Sequence, residues 1–321
     1  MKIHYLLCLV ALNACKLSNN NSLVKADSED KFEACYDDSS LVYKNQYNKG
    51  EEWDLYESLT YVKENGRSYL RTSSEKKKDV YSIDITDHLD GNPLESGYIK
   101  AEYSDSSNVG GLSGMAVSSF DTSRMFMVSD HDEGHTIRLG RVDSEEGTTI
   151  ELTGSNIKNR YQDWEDLDVA DCVDAKKSKC VYISNLGDNG KGRGGIDSAS
   201  DDKAYNLYYF REASVKNSKK TTVKNIHVKY EDGKGHNSEA MSFFGGKVFV
   251  TTKRGDDGKN TVWTGKPSAK KLNLKRKCYL EVDGGTGWQD VTASDIFSYK
   301  GKNYFAYRDY ENIYIYEGLP K

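Results

Sequence analysis

Ser118, Glu165, Glu239 and Ser294 are oxygen-bearing side chains that recur at matching places in successive stretches of a 321-residue sequence. Each lies just before or inside a strand-like run, with Asp166 beside Glu165 and Asp290 shortly before Ser294. Carboxylates and hydroxyls drawn around one axis are oxygen ligands, and such sets select a hard cation such as calcium. A cation there would polarise a substrate oxygen and orient water, with Asp290 or Asp166 as the base. Lys253, Arg254 and Arg308 end other strand-like runs and would neutralise developing charge. The plainer alternative is that each acid satisfies backbone N–H groups of its own turn.

A second set of polar residues falls at predicted hairpin tips: Asp130-His131-Asp132-Glu133, Asp188-Asn189 with Lys191 and Arg193, Lys253-Arg254, and Arg308-Asp309. Cations from several tips facing one metal would suit a small anionic substrate; solvated turn charges are the alternative. Gly187–Gly195 is glycine-rich but lacks the G-x-x-x-x-G-K-[ST] spacing of a phosphate loop, so it reads as a surface loop. His131 and His135 have no third nitrogen or sulfur ligand nearby. The sequence holds neither G-x-S-x-G nor H-E-x-x-H. Lys270–Lys277 (KKLNLKRK) is a basic run with alternating apolar residues, either an outer edge guarded by lysines or a contact for an anionic glycan or membrane surface.

The elements that must position these residues come in five trios of strand-like runs with a period of two. They are 58–63, 67–72 and 79–85; 114–119, 124–129 and 135–142; 166–170, 179–184 and 206–211; 239–244, 247–252 and 261–265; 291–297, 303–308 and 312–317. One further extended run lies between consecutive trios: 98–103, 148–153, 225–230 and 277–282. Five trios with four such runs lack one outer strand, and Ser40–Tyr47 before the first trio can supply it. This pattern predicts an all-β fold, a five-bladed β-propeller of four-stranded antiparallel blades, with six blades or an irregular sandwich as alternatives. The ring would span residues 33–321 as one domain, its last blade completed by the N-terminal strand.

Met1–Cys15 (MKIHYLLCLVALNAC) has the basic start, apolar run and small residues of a secretory signal peptide. Lipidation at Cys15 is a lesser alternative, and residues 16–32 read as a flexible spacer carrying the sequon Asn20-Asn21-Ser22. Four cysteines follow, which allow three pairings; Cys172 with Cys180 and Cys35 with Cys278 are expected. Formal charge −5 and pI 5.8 disfavour a nucleic-acid duplex as partner. The sequence contains no uncharged apolar run long enough to span a membrane as a helix. With 28 Gly, only 3 Pro and 23 Tyr, it suits short twisted strands joined by tight turns. Oligomeric state is not written in any of these features.

Laid out in blades, the sequence resembles the calcium-dependent apyrases, secreted five-bladed propellers that hydrolyse nucleoside di- and triphosphates. The resemblance rests on Gly114–Ser118 with Phe126–Asp130, Trp164–Val169 with Val181–Gly187, Ser238-Glu239-Ala240 with Lys253-Arg254, and Thr292–Phe297. It implies calcium ligands at Ser118, Glu165, Glu239 and Ser294, and phosphate anhydrides or esters as substrates. Asp188-Asn189-Gly190, His131-Asp132 and Lys253 depart from that family at substrate-contacting places. The same Trp-Glu-Asp and Gly-Asp-Asn pieces also resemble secreted bacterial propellers of unassigned activity. The competing classes are a lectin-like or protein-binding propeller using Trp263, Tyr209 and Tyr310 at its rim, and an enzyme of unrelated chemistry, lactone hydrolysis or oxidation, in the same axial pocket.

Overall fold

A computed structural model describes residues 32–46, 57–74, 79–91, 100–104, 112–129, 135–141, 146–154, 157, 163–188, 205–253, 258–282 and 290–321. The signal peptide, the lipidation site, the sequon and all but the last residue of the spacer lie outside these residues.

After β1 (Leu41–Gln46), the chain lays down five antiparallel units. The first is β2 (Thr60–Glu64), β3 (Arg67–Ser73), β4 (Asp79–Asp84) and, after the short α1 (Thr86–Leu89), β5 (Lys100–Ser104). The second is β6 (Leu112–Val117), β7 (Arg124–Ser129), β8 (Thr136–Arg141) and β9 (Gly147–Thr153). Next come β10 (Asp166–Cys172), β11 (Ala175–Asn185) and β12 (Asn206–Arg211). The chain then crosses back through β13 (Lys220–Thr222), which pairs in parallel with β9, before β14 (Lys224–Tyr230) completes the third unit. The fourth is β15 (Ser238–Phe244), β16 (Lys247–Thr252), β17 (Asn260–Gly265) and β18 (Lys271–Leu280). The fifth is β19 (Ala293–Tyr299), β20 (Lys302–Arg308) and β21 (Asn312–Glu317), with β1 antiparallel on β21 as its fourth strand. The fold is a five-bladed β-propeller in which the first strand closes the last blade.

Local sequence explains the innermost hairpins. Asn65-Gly66, Gly245-Gly246 and Lys300-Gly301 all have positive φ at both turn residues, the mirror-image turn whose twist matches paired strands. Between blades the apolar residues of each strand meet. Phe126, Ile137 and Leu139 of blade two pack against Leu167, Val181 and Ile183 of blade three. Blades three and four share Tyr182, Leu207 and Ile226 with Met241, Val250 and Trp263. Blades five and one share Phe297, Ala306 and Ile315 with Leu59, Leu70 and Ile83. At about 1.5–3 kcal/mol per large apolar side chain, these seams hold the ring.

Carboxylates stitch the inner strands together as well. Met241 N–H donates to Asp166 Oδ2 at 2.7 Å, and Phe243 N–H donates to Asp168. Across the closure, Tyr61 N–H donates to Asp295 Oδ2 at 2.6 Å. Each aspartate also accepts the N–H of its own next residue. Enclosure by protein raises both Asp168, to about 7 with help from the Asp295 charge, and Asp295, to about 6.

Both expected disulfides are formed. Cys172–Cys180 closes an eight-residue separation, whereas Cys35–Cys278 joins positions 243 apart. The segment before β1 is therefore tied to blade four, where Cys35 N–H donates to the Tyr279 carbonyl at 2.8 Å. Disulfides of this kind fit an oxidising compartment. No helix among the described residues is long and apolar enough to cross a membrane.

Two details differ from the sequence reading. The fourth outer strand starts at Lys271, six residues before the expected Lys277, because Leu272 and Leu274 are buried as its inward face. β13 was not expected at all; three residues are too few to show periodicity.

Candidate functional site

At one mouth of the ring, each blade places one residue at the entry to its inner strand. Glu57, Glu165 and Thr292 each donate a backbone N–H to the carbonyl of Ser73, Ser184 and Arg308, near the end of the next strand of the same blade. Ser113 and Glu239 occupy the corresponding places within irregularities of register, between Leu112 and Gly114 and between Ser238 and Ala240. A bulge turns one side chain out of the ladder, which is how a strand can re-aim a residue at a site. All five residues are buried.

Three of the five are glutamates, and Asp163 joins them. Glu165 is 1% and Glu239 2% exposed. Burial pushes the Glu165 carboxyl well above its ordinary 4.5, helped by the charges of Glu239, Asp163 and Glu57. Glu239 is also raised by burial, but Lys253 opposes the shift: its Nζ lies 2.5 Å from Glu239 Oε1. Glu165 hydrogen-bonds to Glu239, and Ser113 Oγ donates to Glu165 Oε2 at 3.0 Å. Burial thus raises both carboxyls, Glu165 well above its usual range, while the Lys253 amine favours the charged form of Glu239. Lys253 is held protonated by Glu239, and the neighbouring Tyr310 hydroxyl is pushed up by burial. Gly187 completes the enclosure. A Cβ there would stand 2.1 Å from Glu165 Oε1 and 2.6 Å from Asp163 Cγ, so only glycine lets the backbone pass.

Removing the amine leaves Glu239 buried beside other acids. Lys253→Met is expected to lower stability by about 3 kcal/mol at pH 8, because breaking a buried pair strands its partner's charge. The loss should shrink at pH 5, where Glu239 takes up a proton. Urea denaturation at the two pH values checks this, and a pH-independent loss would count against it.

The four residues expected to share a calcium ion do not converge. Glu165 and Glu239 meet at the mouth, but Ser118 donates to Glu212 Oε1 at 2.8 Å. Five residues along its strand from Ser113, it stands about 16 Å away from the mouth. Ser294 is paired with Ser242 at 2.9 Å, and Ser242 lies three residues, about 10 Å, along β15 from Glu239. The set does not fit one cation, and Lys253 already supplies the counter-charge to Glu239. Among the described residues, the one trio of ligand atoms close enough to share a metal is Cys172, Asp174 and Cys180, and two of these sulfurs form a disulfide.

Asp166 is not free to act as a base, because its two oxygens accept the N–H groups of Leu167 and Met241. Asp290 is half-buried just before Val291, whose N–H donates to Asn260 Oδ1. Arg308 is fully buried; it donates to Thr72 Oγ1 and to the Asp309 carbonyl, so it clamps blade five to blade one. Arg254, residues 130–134, Asn189, Lys191 and Arg193 lie outside the described residues. Asp188 accepts from the Tyr205 hydroxyl at 3.2 Å. Trp263 and Tyr209, expected at an exposed rim, are 1% and 2% exposed and belong to the seam between blades three and four.

Sequence reasoning missed Glu57, Ser113 and Asp163. For Glu57 a signal existed: it immediately precedes the first inner run, as Glu165 precedes the third. Ser113 and Asp163 carried none, since their place depends on a bulge and on a loop folding back over Gly187.

No protein-family model matches the sequence, and no curated protein matches it. Among solved structures the chain is similar to a GH43_1 enzyme from Xanthomonas citri, with 10% identity and a TM-score of 0.51 over 87% of this chain and 91% of that one. It is also similar to a GH43 beta-xylosidase/alpha-arabinofuranosidase from a compost microbial metagenome, with 12% identity and a TM-score of 0.50 over 86% and 95% of the two chains. At these identities the likeness establishes the propeller fold alone. It also corrects the expected kinship: the structural neighbours are glycoside hydrolases, not calcium-dependent apyrases. The quoted motifs misled because they are blade-entry patterns, and two of the four ligands they implied lie elsewhere.

Proposed function

We propose that the chain is a hydrolase of glycosidic bonds whose chemistry is done by the axial acids. The observation that carries this reading is the buried pair Glu165 and Glu239 with Lys253 Nζ 2.5 Å from Glu239 Oε1: burial raises Glu165 well above its usual range, and the amine favours the charged form of Glu239. Two carboxyl groups pushed apart in proton affinity mark an acid and its partner. The GH43 neighbours are consistent with sugars as substrates.

Glycoside hydrolysis needs a protonated carboxyl for the leaving oxygen and a carboxylate some 5–10 Å away for water or the sugar carbon. Glu239 sits within hydrogen-bonding reach of Glu165, too near for that second role, so it acts as a positioning residue that sets where the proton resides. Glu57, across the ring in blade one, is the base. Glu165 then gives its proton to the leaving oxygen as the bond to the sugar carbon breaks. Water attacks that carbon and passes a proton to Glu57.

A panel of 4-nitrophenyl glycosides, including β-xyloside and α-arabinofuranoside, tests this. Release of 4-nitrophenol should follow a bell-shaped pH profile, its alkaline limb set by Glu165 well above 4.5. Failure of folded protein to cleave any member of the panel would reject the hydrolase reading. Sugar binding without turnover would replace it with a lectin-like one.

A further inference from the structure

The basic run at 270–277 lies on a face that the axial site does not use. β18 is the outermost strand of blade four, three strands or about 14 Å out from β15. Its outer edge is covered along 271–274 and again at Tyr279. β14 pairs with it in parallel, His227 beside Lys271 through Tyr230 beside Leu274, and the Cys35 segment pairs at Tyr279. Lysines often guard a free strand edge against sheet-to-sheet association. No free edge exists along 271–274, so that duty does not account for Lys271 or for Lys229 on the covering strand.

The two strands instead form a continuous face across blades three and four. Leu272, Leu274, Ile226 and Val228 point inward and are fully buried or nearly so. Lys229, Lys271, Asn273 and Lys275 are exposed, with Lys270 and Lys277 at the ends of the same row. Lys229, Lys270, Lys271, Lys275 and Lys277 have no ion pair or hydrogen-bonding partner for their amines among the described residues. By contrast Lys220, Lys224, Lys300 and Lys302 each meet a carboxylate. Five unpaired cations in one row on a chain of charge −5 repel one another, and a polyanion relieves that repulsion.

We propose that the outward face of β14 and β18 binds an anionic polysaccharide, a glycan bearing carboxylates or sulfates. Asn273, paired beside Lys229 on this exposed face, offers an amide between the charges. The row presents no apolar side chain to enter a bilayer. Its aromatic neighbours Trp263 and Tyr230 are buried, and half-buried Phe32 and Tyr279 lie against each other with Arg276 and Lys259 over their rings, so these rings are already engaged rather than free to stack nucleic-acid bases. The surface stands apart from the axial acids, so its test does not depend on turnover.

Soluble heparin and polygalacturonate serve as probes with the full mature chain. If five lysines are engaged, raising salt from 50 to 200 mM should weaken binding about a hundredfold, taking a slope of roughly 0.7 per contact. Lys271→Thr/Lys275→Thr/Lys277→Thr should lower that slope by about 2. Lys63→Thr/Lys176→Thr/Lys247→Thr, an equal charge change on other exposed strands, should leave it unaltered. Matching melting curves confirm that each variant is folded. The proposal is overturned if neither glycan binds at 50 mM salt, or if the first variant binds as wild type does. Tighter binding to polyuridylate RNA than to both glycans, or binding only to phosphatidylserine vesicles, also overturns it.

Discussion

Glu165→Gln should abolish most glycoside turnover, by about 10²–10⁴-fold, and at the same time make the protein more stable at neutral pH. Glutamine copies the protonated carboxyl. Its carbonyl oxygen can accept from Ser113, and its amide can donate to Glu239 as the shared proton does. The activity loss follows because an amide has no proton to give. The stability gain follows from linkage. Glu165 ionises near 4.5 when unfolded but well above that when folded, so the folded state binds more protons between the two values. Wild-type stability therefore falls as pH rises through that window, and the variant escapes this fall. Below pH 4.5 the two should melt alike, and the gap should open steadily above it. Asp168 and Asp295 add a slope of the same sign, present in both proteins, which cancels in the difference. Thermal melts from pH 4 to 9, run beside the aryl-glycoside assay, decide the matter. A variant that melts below wild type at pH 8, or retains full turnover, would refute the assignment of the proton to Glu165.

Loss of the Cys35–Cys278 bridge should be the largest purely structural effect. Its sulfurs join positions 243 apart, and chain-entropy arithmetic gives about 5 kcal/mol for so long a loop. The same arithmetic gives about 2.5 kcal/mol for Cys172–Cys180, eight apart. Cys35→Ser/Cys278→Ser should thus lower the melting temperature by about 10 °C, roughly twice the effect of Cys172→Ser/Cys180→Ser. The long bridge also anchors the segment that leads into β1, so amide exchange in 41–46 should quicken in the first variant and not in the second. Equal melting shifts would mean that the N-terminal segment holds its place through β1–β21 pairing alone.

The strands, their grouping and the closing role of 41–46 were legible because each depends on local patterning. Aromatic and β-branched residues at a period of two declare a strand wherever it folds, and a count of five trios with four outer runs leaves one vacancy to fill. The disulfides were legible for a related reason, since a short Cys172–Cys180 separation and a late Cys278 leave a natural partner for Cys35. Of the axial site, Glu165 and Glu239 could be found because blade entries recur in the sequence, and Lys253 because it follows the end of a strand-like run.

Tertiary structure alone decided which oxygens meet. Ser113 within β6 and Ser118 just past its end share one chemistry, yet a bulge turns the first toward Glu165 while the second bonds Glu212 at the far end. Asp166 follows Glu165 directly, but strand alternation sends it to a backbone N–H of the next blade. Glu57 reaches the same mouth from blade one only when β1 has closed the ring. Local hydrophobicity and turn chemistry act over a few residues, and the sequence displays them openly. The raised proton affinity of Glu165 comes from desolvation and the charges of Glu239, Asp163 and Glu57, brought together from three blades, and such energies exist only once the ring is shut.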